Sequence, residues 1–88
     1  MKLFRTKVFK KDIKKVKFTD KLYQVYIENI SLLLNSKSLP KSSKDHQLMG
    51  KLSMYREFHI SGDLLLIYIV EDDILKLVRI GTHSQLFD

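Results

Sequence analysis

Hydrophobic and polar positions change rhythm midway along this chain. In the first half they repeat with a helical period. Val8, Phe9, Ile13 and Val16 fall near one face, while Lys7, Lys10, Lys11, Lys14 and Lys15 cover the rest, so a helix is expected from Thr6. A capping hydroxyl at Thr19 followed by Asp20 starts a second helix. Its stripe of Leu22, Tyr26, Ile30 and Leu33 carries it to about Asn35. Ahead of both, residues 2–4 form an expected short first strand.

Residues 36–45, SKSLPKSSKD, break the pattern with serines, lysines and the only proline, and read as a loop. Beyond them the period is two. In residues 54–60, Tyr55, Glu57 and His59 face one side and Met54, Arg56, Phe58 and Ile60 the other. Ser61, Gly62 and Asp63 make a turn. Residues 64–70 are a continuous apolar run, which predicts a central strand covered on both faces. Glu71, Asp72 and Asp73 turn the chain again into a last strand over residues 74–80, ended by Gly81. The expected fold is α+β: two N-terminal helices packed on a small, mainly antiparallel sheet of about four strands. At 88 residues, 1–88 is a single domain.

Composition narrows the chemistry. An apolar fraction of 44% supports one real core. With no cysteine, a disulfide framework and a thiolate zinc site are both excluded. The start of the chain has no apolar run and no segment approaches membrane-spanning length, so a cytoplasmic protein without a membrane partner is expected. Charge is uneven. Residues 1–44 hold twelve Lys/Arg against three acids, +9, and residues 45–88 hold four against seven, −3, which sum to the net +6. A lysine-rich half suggests a polyanionic partner, either nucleic acid or an acidic protein, or else a solvated helix face.

Three histidines are available for chemistry: His46, His59 and His83. His59 ends one expected strand, Asp63 begins its hairpin partner, and His83 lies just past the end of a third. Antiparallel neighbours bring such ends together. His46, His59, Asp63 and His83 match no metal-ligand spacing, so no metal and no cofactor is expected. No serine sits in a strand–turn–helix elbow and no glycine-rich phosphate loop exists. RNA cleavage without a metal fits better. A ribose 2′-OH attacks its own 3′ phosphate once a base takes its proton and an acid protonates the leaving oxygen. Imidazole can serve either role near neutral pH. Arg56 and Arg79 are candidates to hold phosphate, unless ion pairs with Glu57, Asp63 or Glu71 occupy them. Lys10, Lys11 and Lys14 would grip the RNA backbone.

At this point four stretches of the second half, taken in order, resemble a known family. They are Asp45-His46-Gln47-Leu48-Met49-Gly50, then Tyr55-Arg56-Glu57-Phe58-His59-Ile60, then Asp63 to Tyr68, then Arg79-Ile80-Gly81-Thr82-His83-Ser84-Gln85-Leu86-Phe87. Together they resemble the YafQ branch of the RelE-like toxins of bacterial toxin–antitoxin systems. The likeness is detailed over about residues 44–88; the first half matches in plan and basic character only. It implies an endoribonuclease that cuts mRNA, usually on the ribosome, and is neutralised by an antitoxin. It carries the site onto His46, His59, Asp63, His83 and Phe87. His83 would be the general acid and Asp63 or His59 the base. His46 would contact phosphate or base, and Phe87 would pack on a nucleotide. Leu86 would anchor the tail in the core. Some relatives have Pro-Asp-Trp where this chain has Gly62-Asp63-Leu64, which removes one stacking surface. Two other readings stay open. One is a module that binds RNA or only its antitoxin without catalysis; the other is a co-repressor touching operator DNA within an antitoxin complex.

Overall fold

The computed structural model describes residues 1–87. Strand β1 (Lys2–Arg5) leads into helices α1 (Lys7–Ile13) and α2 (Asp20–Leu34). Strands β2 (His46–Gln47), β3 (Arg56–Ser61), β4 (Leu64–Glu71) and β5 (Ile74–Gly81) follow, and a short helix α3 (His83–Phe87) ends the described chain. Threonines set where both long elements of the first half begin. The Thr19 hydroxyl accepts from the Leu22 N–H, with Asp20 in the first turn of α2. The Thr6 hydroxyl accepts from Phe9 N at 3.0 Å and donates to the Val78 carbonyl at 2.8 Å, so it both caps α1 and ties it to β5.

Helix α1 stops at Ile13, earlier than its apolar stripe suggested. The N–H groups of Lys15 and Val16 turn back onto the carbonyls of Asp12 and Ile13 at 2.9 and 3.2 Å, tight bonds that close the last turn. Val16 still packs on the core from the connection that follows.

The sheet has five strands in the order β1-β5-β4-β3-β2, one more than expected. The additional strand pairs His46 with Glu57 and Gln47 with Arg56, and two residues are too short for any periodicity to reveal. All pairings are antiparallel except β1 with β5. At the β4–β5 hairpin, Asp72 and Asp73 take φ of 52° and 60°, a two-residue loop of the kind that aspartate tolerates and that matches strand twist.

Strand β4 runs through the middle, and both of its faces are covered. Phe58, Leu66 and Ile80 lie in one cross-strand row and pack with Phe9, Ile30 and Leu33 in the helix-side core. The adjoining row, His59, Leu65 and Gly81, points the other way, as does Glu57 opposite Ile67. Leu65 and Ile67 are buried on that reverse face. One sheet thus carries its core on one side and its histidines on the other.

Candidate active site

The site is built at one end of the sheet's reverse face. Past Gly81 the chain turns into α3 through a reciprocal cap. Thr82 N donates to Gln85 Oε1 at 2.9 Å, and Gln85 N donates to Thr82 Oγ1 at 3.2 Å. The helix folds so closely over β5 that a Cβ at residue 81 would lie 2.7 Å from Gln85 Oε1, which is why glycine stands there. The next N–H, that of His83, donates to Asp63 Oδ1 at 3.3 Å. The β3–β4 turn therefore holds the start of α3. His83 and Phe87, one helical turn apart, bring their rings to 5.0 Å between centroids.

The second half of the site stands on β2 and β3. His46 and His59 have ring centroids 6.3 Å apart. His46 Nδ1 lies 2.6 Å from the Lys44 carbonyl, which can only accept, so Nδ1 carries a proton. Nε2 lies 3.1 Å from Glu57 Oε2. Glu57 is buried and its Oε1 has no hydrogen-bond partner among the described residues. The His59 ring is half-buried and, among the described residues, bonds to no protein group.

His46 with His59, Asp63 with His83, and His83 with Phe87 are thus in contact or close approach, and Gly81 and His59 share a row across β4. Lys10, Lys11 and Lys14 are exposed on or just past α1. The arginines are committed elsewhere. Arg79 forks onto Asp12, Nε to Oδ2 at 2.8 Å and a terminal nitrogen to Oδ1 at 3.1 Å, and this bonding raises its pKa. Asp12 also accepts from Ile80 N at 3.2 Å. Expected ion pairs with Glu57, Asp63 or Glu71 are replaced by this one, across 67 residues of chain. Arg56 lies 3.3 Å from both Asp45 Oδ1 and Tyr68 Oη. Desolvation works against its charge, but the bonds to Tyr68 and Asp45 outweigh it and the pKa is raised. Burial, then the 2.7 Å bond to Asp45, lifts the Tyr68 phenol above its ordinary 10.0.

Two features escaped the sequence reading. Thr82-Ser84-Gln85 spacing is a capping box and was legible as one. Glu57 shares a side of its strand with His59, but nothing local marked it as buried against His46. No group of three or more His, Cys, Asp or Glu is set to hold a metal ion among the described residues.

Over residues 1–88 the sequence matches the family described as bacterial toxin of type II toxin–antitoxin system, YafQ. The chain belongs to the YafQ family. Two YafQ relatives named mRNA interferase toxin come from Escherichia coli. The strain K12 protein is 43% identical over 64% of this chain, and the strain B protein 36% identical over 90% of this chain and 87% of its own length. The matches span less than two thirds of the K12 protein, 61%, and of a Haemophilus influenzae relative bearing the YafQ name, 63%. Among solved structures, a copper-bound single-substitution toxin from Helicobacter pylori superposes with a TM-score of 0.90 at 42% identity over 98% of each chain. YafQ in the E. coli DinJ–YafQ complex gives 0.78 at 34% identity over 98% of this chain and 97% of that one. The α+β fold with helices on a mixed sheet is that of the YafQ structures.

Proposed function

We propose that this toxin-family chain is an endoribonuclease that cleaves mRNA by internal attack of a ribose 2′-OH, acting on the ribosome in the cytoplasm. The observation that carries the reading is the His83 N–H bonded to Asp63 beside the row that holds His59. It supports two imidazoles acting on one linkage. His59, whose ring has no protein partner among the described residues, takes the 2′-OH proton. The new O2′–P bond forms as the P–O5′ bond breaks, and His83 delivers a proton to the departing O5′. The products are a 2′,3′-cyclic phosphate and a 5′-OH. Asp63 positions His83 through its backbone, a role that suits an acceptor already occupied better than that of base. His46 contacts phosphate or base from its place on Glu57, and Phe87 backs the His83 ring or stacks on a base. Relatives named mRNA interferase favour this activity. By analogy with the DinJ–YafQ complex, the partner is a small antitoxin whose acidic surface would match the lysine-rich half.

The test is RNA in a translation mixture with end-group analysis. Cyclic-phosphate ends should appear in the presence of a chelator and should fall at least ~100-fold in rate with His83→Ala. Intact RNA with folded protein in excess overturns the reading. Cleavage untouched by His83→Ala would remove this histidine from the mechanism. A module that binds without cutting, or an operator-binding co-repressor with the antitoxin, would show binding alone, unaffected by that substitution.

A further inference from the structure

Between the α1–α2 connection, the β3–β4 turn and the start of α3 lies a cleft of about 290 Å³. The α1–α2 connection forms one wall with Lys15, Val16 and Lys17; the β3–β4 turn and α3 form the other with Ser61, Asp63 and Gln85. Val16, Leu22 and Leu64, all packed against the core, supply an apolar floor. Both lysines are exposed, and no carboxylate pairs with either among the described residues. An apolar floor with a few convergent polar groups is the usual make-up of a small-ligand site.

We propose that this cleft is a nucleotide subsite, seating the RNA residue next to the scissile linkage, with its base on the Val16–Leu22–Leu64 floor and its phosphate on Lys15 and Lys17. The proposal rests on the ribonuclease reading and extends it. Three observations converge. The cleft shares Asp63 and Thr82 with the frame that holds the backbone of His83, so the two adjoin at the start of α3. The lysines come from the α1–α2 connection and Asp63 from the β3–β4 turn, so cations and carboxylate enter the lining from different elements. The cap fixes the Gln85 amide, because its Oε1 accepts from Thr82 N and its NH2 is left to donate to a base acceptor. Asp63, with one oxygen on His83 N, keeps the other as acceptor for an exocyclic amine. The resulting pattern reads a base edge. A plain polyanion grip needs only the lysines.

A short RNA methylated at every 2′ oxygen cannot be cleaved, so its binding can be measured by fluorescence anisotropy whatever the catalytic outcome. Lys15→Ala/Lys17→Ala should weaken binding about tenfold and flatten the log K against log salt slope by about 1.4, two contacts at ~0.7 each. Lys2→Ala/Lys37→Ala, equally exposed but outside the cleft, should cost under about threefold. Methyl resonances of Val16, Leu22 and Leu64 should move when the oligonucleotide is added. Equal losses in the two double variants, or unmoved methyls, overturn the subsite; that result is also expected if the lysines serve an antitoxin carboxylate instead. Cleavage by the unsubstituted protein is scored separately, so failure of the subsite and failure of the ribonuclease reading are distinguishable.

Discussion

Asp12 shows how one side chain can organise a distant part of this protein. Its carboxylate accepts both arms of Arg79 and the Ile80 N–H, so it joins the end of α1 to the last strand. Arg79 is one-third exposed on its side chain, so water weakens the pair below a fully buried one. Asp12→Ala should therefore cost about 2 kcal/mol, less than the full loss of a buried partner, and leave an unbonded N–H at Ile80. Urea unfolding midpoints at constant m would show it. An unchanged midpoint would mean the pair contributes nothing net. Asp12 is one of the three acids of residues 1–44, and nothing beside it in the sequence marks it out. Only its contact across the fold gives it this role.

At the scale of elements, the junction between β5 and α3 links backbone geometry to the proposed cleavage. Gly81→Ala would push a methyl to 2.7 Å from Gln85 Oε1 and 3.4 Å from Leu86 Cδ2. Gln85 must then leave Thr82 N, and the cap worth about 1 kcal/mol is lost. The expected signature is non-additive. Gln85→Ala and Gly81→Ala should each lower kcat/KM, and the double variant should be no worse than Gln85→Ala alone, since both act on one cap. Additive losses would show that glycine is needed for some other reason. The cap at Thr19 was legible because a capping hydroxyl works within three residues of itself. The two-residue β2 was not, because its existence depends wholly on the strand it pairs with.

For the whole molecule, stability should fall on the alkaline side. Burial, then the Asp45 bond, raises the Tyr68 pKa above 10.0, and burial raises that of Tyr26 in the same sense. Below pH 10.0 folded and unfolded chains both keep the Tyr68 proton, and the stability is intact. Above it the unfolded chain releases the proton first. The folded state then binds more protons, so unfolding free energy drops as pH rises, by up to about 1.4 kcal/mol per pH unit. Unfolding midpoints taken on either side of pH 10.0 should show the fall, and Tyr68→Phe should flatten it while losing the bond to Asp45. A variant with the same slope as the parent would rule this tyrosine out as the cause.

By itself the sequence determined the two N-terminal helices and the cap at Thr19, the covered central strand, the α+β class and the set of motifs that marks the YafQ family. Each of these is local: a cap spans four residues, a strand alternates within six, a motif is a string. The tertiary structure decided which groups meet. It put His46 on Glu57, gave Arg79 to Asp12, tied the His83 N–H to Asp63 and opened a cleft behind them. Those contacts depend on register, on two irregularities in strand pairing and on where a short helix folds back. Slipping one strand by a single residue would reverse every face, and no short window of sequence records that choice.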